Sequence, residues 1–594
     1  MKLLSTIVLF LTCFNAQNMH AQVELFFSHA SGYYAEEFDL SITPSIEGIE
    51  IRYQINTDAS TFETESLSYQ SAISLGPSFL KSPELSLIKS ADKWSEPKSV
   101  NSAACINAQA FWNNEPVSKM YKKYYLFTES TAIVPTVFIS IADDDFFSTE
   151  EGIYVDGDDL NYFQRGRDWE RAAEITFVDE NGEEQFDQDL GVRIHGNGSR
   201  RCAQKSLRFY AREEYGARQL IWQLFPQKPE LVAFDRFILR TPCSDWLRSG
   251  LRDVLAHELA KNLELESQTS RPVVAYLNGE YWGWYNLRER ADQKYLSQQS
   301  GQASIPSEHF VILENNGQSD FQEDDSWQEL MDQLEQSDPK AENFYEWIDE
   351  RIDLKNFIHY YCLELFTANI DWPFTNTKYW KNKESNSKWR WLPFDFDAGF
   401  IRFQEDPFPA FTNDSESNRH PQWAKMPLQK LLQNPAFFLE FQAEFERLLS
   451  SDFHPENTIP ILDSLILLHT PLIVEQVDRW HEPTDLDGWL FSIEDMRTFL
   501  LERPAYLRRY LSKHFHSALQ IHPNPATRFI TVNSPIRDEF FDRVEIFNTQ
   551  GALLIKYENI ESSFEIDVST LKPGLYFIKT LQGKTIYTKR LIID

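Results

Sequence analysis

Asp371-Trp372-Pro373-Phe374-Thr375-Asn376-Thr377-Lys378-Tyr379-Trp380 and Lys388-Trp389-Arg390-Trp391-Leu392-Pro393-Phe394-Asp395-Phe396-Asp397-Ala398-Gly399-Phe400 are the two stretches on which the central fold turns. An apolar pattern over Ile352 to Ala368 predicts a helix that runs into Asn369-Ile370, and Pro373 stops its continuation. Asn376 to Trp380 reads as a strand, and Lys388 to Phe394, after a polar turn, reads as its hairpin partner. That partner delivers Asp395-Phe396-Asp397. Carboxylates thus stand at both ends of one hairpin, and strand pairing brings them together in space.

Two further segments of the surrounding region carry chemistry-bearing residues. Arg193-Ile194-His195-Gly196-Asn197-Gly198-Ser199-Arg200-Arg201 leads to Lys205-Ser206-Leu207-Arg208. A Gly-Asn-Gly turn after a strand exposes backbone N–H groups, and the cations around it suit phosphate; a plain basic hairpin has the same composition. Tyr276-Leu277-Asn278-Gly279-Glu280-Tyr281-Trp282 places Asn-Gly between two β-like runs, a hairpin signal. Glu289 follows its second strand and is a candidate ion-pair partner for Lys205, with Arg288 and Arg290 as the competing partners.

The 594 residues are too many for one core and predict several domains. Hydrophobic residues are 42% and charged residues 25%, the proportions of a globular protein. The aromatic share of 14% serves either a well-filled core or sugar-stacking surfaces. The formal net charge of -33 excludes nucleic acid and anionic lipid as partners. It also repels ATP, so a nucleotide site here requires local cations and divalent metal.

Met1-Lys2-Leu3-Leu4, an apolar run to Phe14 and small residues ending at Ala21 have the pattern of a secretory signal peptide over 1–21. No later run reaches about 18 apolar residues, so no transmembrane segment is expected. Without Cys13, the thiols are Cys105, Cys202, Cys243 and Cys362, and two bridges or buried free thiols both stand open. There is no HExxH and no CxxC.

Residues 23–128 alternate as short strands and predict a β-sandwich. Residues 134–515 mix strands with helices and predict an α+β domain with a helical C-terminal lobe; Leu251, Leu255, Leu259 and Leu263 form a four-residue stripe within it, and residues 426–513 read as almost wholly helical. Residues 517–594 return to strands, through Val544-Glu545-Ile546-Phe547-Asn548, Gly551 and Leu571-Lys572-Pro573-Gly574-Leu575-Tyr576. The fold class expected is therefore multidomain: an α+β centre with a helical C-terminal lobe between two small all-β sandwiches.

Three resemblances accompany these segments. Phe27-Ser28-His29-Ala30-Ser31-Gly32-Tyr33-Tyr34 with Ile51-Arg52-Tyr53 resembles the chitobiase C-terminal-like repeat, which implies an accessory sandwich. The C-terminal strands resemble the sorting domain of the Bacteroidetes type IX secretion system, which implies the secretion machinery as a partner and a secreted or cell-surface location. The central region resembles the CotH (spore-coat protein H) kinase family: Val134-Pro135-Thr136-Val137-Phe138, Gly152-Ile153-Tyr154-Val155, Asp245, Leu251-Arg252-Asp253, the Asn-Gly hairpin, Arg479-Trp480 and Arg503-Pro504 fall in order with the segments above.

The CotH resemblance implies an atypical kinase-like fold for the α+β centre, and transfer of the ATP γ-phosphate to a Ser or Thr hydroxyl of an exported or surface protein, assisted by Mg²⁺ or Mn²⁺. Carried over, Asp371 is the catalytic base, Asn376 and Asp395 are metal ligands with Asp397 a second candidate, and Lys205 holds phosphate, with Arg200, Ser199 and Glu289 in the same nucleotide site. Pro393-Phe394-Asp395 departs from the family's Pro-Trp-Asp, and a kinase-type Gly-rich loop is absent from the sequence. Two other readings stand beside it: a non-catalytic surface-binding protein on the same fold, and a glycan-active protein drawing its acid pair from Asp371, Asp395 and Asp397.

Overall fold

The structure is a computed structural model that describes residues 23–57, 59–128, 134–245, 248–299, 305–318, 324–384, 387–412, 421–514, 519–534, 540–582 and 585–594. The signal-peptide reading of 1–21, Cys13 included, lies outside the described residues. The chain divides into two compact units, one of residues 1–254, 268–298 and 463–494, the other of residues 255–267, 299–462 and 495–594.

The first unit opens with short strands around a core of Leu40, Ile42, Ile106, Ala108 and Tyr125. Its main sheet pairs Glu50–Ile55 with Ala104–Trp112, and that strand with Tyr121–Phe127, all antiparallel. Beyond it the sequence reading of α+β misses a closed seven-stranded barrel. Its strands are β1 (Thr136–Ser140), β2 (Arg171–Val178), β3 (Glu184–Ile194), β4 (Leu207–Tyr210), β5 (Arg236–Arg240), β6 (Ser270–Leu277) and β7 (Glu280–Arg288), in the order β1-β2-β3-β4-β5-β7-β6. A parallel pairing of β1 with β6 closes it. Alternate residues, among them Val192, Leu207, Phe209, Phe237, Leu239 and Leu287, fill its interior.

The Asn-Gly hairpin forms as expected between β6 and β7. Asn278 and Gly279 have φ of 46° and 89°, the paired positive values of a type I′ turn. The Asn278 amide also donates to the Ile141 carbonyl at 2.7 Å and accepts from the Ile141 N–H at 2.9 Å, tying the turn to the end of β1. In β7, Gly283 has φ +115°, and a Cβ there would lie 2.5 Å from the Gln204 amide and 2.8 Å from Trp480 Nε1. Only glycine lets helix Ile473–Trp480 approach this closely, with Trp480 donating to the Trp282 carbonyl at 2.9 Å.

Residues 81–103 form a strap over the barrel. Leu85 joins the barrel core. Glu280, fully buried, accepts from the N–H groups of Glu84, Leu85 and Ser86 at 2.9–3.0 Å and lies 3.6 Å from the Lys81 ammonium. The sequence shows no charged constellation in 23–128 and reads that region as dispensable for nucleotide binding; the strap adds that its backbone satisfies a buried carboxylate of the barrel. Among the described residues a disulfide joins Cys202 to Cys243, while Cys105 and Cys362 are free and buried.

In the second unit, Phe310–Glu314, Lys378–Asn382 and Arg390–Leu392 make a three-stranded sheet, with Lys378 opposite Leu392. Helix Leu354–Thr367 is capped by Asp353, whose carboxylate accepts from the Asn356 N–H. The region read as helical contains Gln422–Leu431, Pro435–Ser450, Pro455–His469, Ile473–Trp480 and Leu486–His514. The stretch Pro455–Trp480 passes the length and composition test for crossing a membrane, which the sequence reading had set aside. Thr458, Leu462, His469 and Ile473 along it are fully buried, and a core helix passes the same test.

The C-terminal strands pair as two sheets, one of Gln520–His522, Phe529–Asn533 and Ser563–Asp567, the other of Phe541–Asn548, Leu553–Ile560, Gly574–Gln582 and Thr585–Ile593. Ile530, Val532, Val544, Ile546, Ile566 and Ile578 form a core of their own.

Removing the Glu280 carboxylate takes the acceptor from three N–H groups and the counter-charge from the buried Lys81 ammonium, so Glu280→Ala should cost about 3–5 kcal/mol, read by chemical denaturation. Glu280→Gln keeps one acceptor and should cost visibly less.

Candidate functional site

The chemistry-bearing residues of the second unit are set by the end of helix Leu354–Thr367. Ala368 follows in the left-handed conformation, φ 50°. The last carbonyls of this helix lack helical partners. Arg503 supplies them: Nε donates to Phe366 O at 3.1 Å, Nη2 to Leu365 O at 2.6 Å, and Nη1 to Phe403 O and Glu405 O at 2.9 and 2.6 Å. Burial pulls this guanidinium down to about 10.

From that fixed end the chain makes the expected hairpin, and the segment it delivers is zipped back. Phe400 N–H donates to Thr367 O at 2.7 Å, and Ile370 N–H to Ala398 O at 3.4 Å. Asn369 is the hub. Its amide donates to Glu364 Oε2 and to the Asp395 carbonyl, both at 3.3 Å, and its Oδ1 accepts from the Asp371 N–H at 3.3 Å. Asn376, with φ 62°, also donates to the Asp395 carbonyl at 3.4 Å. Asp371, Asn376 and Asp395 are thus gathered at one place, as the hairpin reading requires. Asp395 and Asp397 offer carboxylate oxygens within 4.8 Å of each other. Phe396 between them is fully buried, edge-on to the His257 ring.

Sequence reasoning missed Glu364 and Asn369. Glu364 is buried beneath the loop, and burial, opposed by the Asn369 bond, pushes its carboxyl well above the usual range. A lone Glu in an apolar helical pattern was the available signal.

In the first unit the basic segment is largely consumed by its own fold. Arg200, next to Ser199 in the turn, is buried; Nε donates to Gly196 O at 2.7 Å and Nη1 to Tyr162 O and Gln164 O at 2.8 and 3.0 Å. Burial lowers it to about 10. Lys205 is 0% exposed. Its ammonium donates to Ser90 O of the strap at 3.0 Å and to Cys202 O at 2.8 Å, and lies 4.9 and 4.7 Å from the Tyr154 and Tyr162 ring centres. Burial drives its pKa to about 7.

The Lys205–Glu289 pair does not form. Glu289 binds Lys228 at 2.7 Å and accepts from the Thr269 N–H at 2.9 Å. Register is the reason. Leu207, Leu239 and Leu287 stand on one level of the barrel. Lys205 lies two residues before that level and Glu289 two residues beyond it on a strand of the same direction, roughly 13 Å apart along the strands.

The family described as CotH kinase protein matches residues 192–507. The chain belongs to the CotH kinase family. Its residues 520–594 match the secretion system C-terminal sorting domain, here of the type IX system, which supports export to the cell surface. The CotH match begins inside β3, so β1 and β2 lie before it although they complete the same barrel. No curated protein matches the chain. Among solved structures, a proinflammatory kinase of Helicobacter pylori, CtkA, is similar at 10% identity and a TM-score of 0.17, over 44% of this chain and 91% of that one.

Lys205 supplies a pH test. Its folded pKa of about 7 lies below the unfolded value of about 10.4, so the unfolded chain binds the extra proton between those values. The cost of burying the ammonium is then complete below pH 7 and fades as pH rises toward 10. Lys205→Met should therefore gain melting temperature over the parent at pH 6, with the gain shrinking steadily up to pH 9.5 in thermal scans.

Proposed function

We propose that this CotH-family protein is an exported protein kinase that transfers the γ-phosphate of ATP to Ser or Thr hydroxyls of another exported or surface protein. The observation that carries the reading is the gathering of Asp371, Asn376 and Asp395 around Asn369 at the end of one helix. Asp371 is the base: it orients the acceptor hydroxyl and takes its proton as the phosphate is transferred.

Asn376, Asp395 and Asp397 offer only oxygen donors, which suits a hard divalent cation such as Mg²⁺ or Mn²⁺. Such a cation, when bound, neutralises charge building on the transferred phosphate. The bonds from Asn369 and Asn376 to the Asp395 carbonyl fix the main chain that carries this carboxylate before any ligand arrives, which lowers a reorganisation cost of the reaction. Lys205 is enclosed in the first unit and takes no part in this reading. Export by the type IX route places the acceptor protein outside the cell.

Asp371 acts mainly in the transition state, so Asp371→Asn should leave ATP·Mg²⁺ binding nearly intact while ³²P transfer falls on the order of 10²-fold or more. Asp395→Ala should remove the Mg²⁺ dependence of calorimetric ATP binding. If the parent neither binds nor transfers, the non-catalytic surface-binding reading takes its place.

A further inference from the structure

The outward face of the barrel carries a row of arginines that neither the family match nor the roles above account for. Inward residues alternate with them: Val192, Leu207, Phe209, Phe237 and Leu239 point to the core. Arg193 on β3 stands directly opposite Arg208 on β4, and Tyr210 opposite Arg236 on β5. Like charges facing each other across a ladder are unfavourable, and the chain as a whole carries -33, so their concentration here is not a matter of composition.

The flanking arginines are matched. Arg193 lies 3.5 Å from Glu170, Arg236 2.7 Å from Asp292, and Arg240 3.5 Å from Asp253. Arg208, between them, differs. Among the described residues it has no carboxylate within ion-pair distance. Its Nη1 donates to the Tyr210 hydroxyl at 3.1 Å, its Nη2 meets His195 Nδ1, and its Nε is buried without a partner. The imidazole cannot serve as counter-charge. Burial first, then Arg208, Arg290, Arg240 and Arg200, push His195 well below its usual range, so it is neutral and accepts from Arg208. Arg208 thus stands without a carboxylate of its own among arginines that share Glu170, Asp292 and Asp253, on the segment that follows the Gly-Asn-Gly turn at 196–198.

We propose that the outward face of β3, β4 and β5, centred on Arg208, is a binding site for a polyphosphate chain. A phosphate is the anion that fits a planar guanidinium, because it accepts two parallel hydrogen bonds. The identification of the natural ligand as a nucleoside triphosphate rests on the kinase reading; the site itself does not. Arg208 takes the role that the sequence gave to Lys205. The two lie three residues apart on one segment, and an odd spacing in extended chain puts one inside the barrel and the other outside.

The test titrates the full chain with inorganic tripolyphosphate and separately with ATP by calorimetry at two salt concentrations, beside ³²P transfer. The parent should bind both probes, more weakly at high salt. Arg208→Gln should weaken both at least tenfold, and Arg208→Lys, which keeps charge but loses the fork, should fall between. Arg208→Gln should also melt at or above the parent temperature without ligand, since it removes repulsion; a role confined to holding the barrel would lower it. Should Arg208→Gln not fold, Arg208→Lys carries the comparison, and parent-like affinity for both probes overturns the site. Tight binding of both probes by folded Arg208→Gln overturns it as well, as does a parent that binds neither. Arg208-dependent binding of tripolyphosphate without transfer upholds the site and ends the kinase reading. Transfer indifferent to Arg208 does the reverse.

Discussion

The second unit depends on a guanidinium. Arg503 sits in the interior with each of its nitrogens donating to main-chain carbonyls, two of them at the C-terminal end of helix Leu354–Thr367. A charge in such a place survives only because its donors are all matched. In return it fixes a helix terminus that would otherwise be open to water, and everything chemically interesting is counted from that terminus. Asn369 is two residues past it, Asp371 four, and the loop after the hairpin is stitched to it by the Phe400 N–H on Thr367 O. Placement of the carboxylates is thus inherited from a group that touches none of them.

The first unit solves a similar problem with the opposite charge. Glu280 is buried at the mouth of a barrel and is satisfied by a run of backbone N–H groups from a segment nearly 200 residues earlier in sequence. The strap that brings those groups also seats Leu85 in the core and closes over Lys205. Two cations of one short segment then acquire opposite characters. Lys205, enclosed by tyrosine rings and carbonyls, loses its charge near neutrality, while Arg208 remains charged among its own kind.

Local features were legible in the sequence, and for physical reasons. Asn278-Gly279 demanded its turn because few residues adopt positive φ twice in succession. Pro373 and the alternation of Lys388–Phe394 set the hairpin that gathers Asp371 and Asp395. The helical stripe through Leu251, Leu255, Leu259 and Leu263 is wholly buried. What could not be read was anything decided by distant partners. Barrel closure needs β1 to find β6 in parallel across more than a hundred residues, and no local pattern encodes that. The Lys205–Glu289 pairing failed because strand order and register, not charge, decide which residues share a level. Glu364 and Asn369 were overlooked because a buried polar group looks like any other residue until its surroundings are known.

Cys105 and Cys362 sit one in each unit, both buried and both raised above the usual thiol range by burial. A buried protonated thiol is a poor nucleophile. Outside a cell, where oxidants are plentiful, these two sulfurs are therefore shielded by packing alone. Their reaction with a soluble thiol reagent would be timed by how often the surrounding structure opens, so the chain carries two internal clocks of local breathing, one for each half.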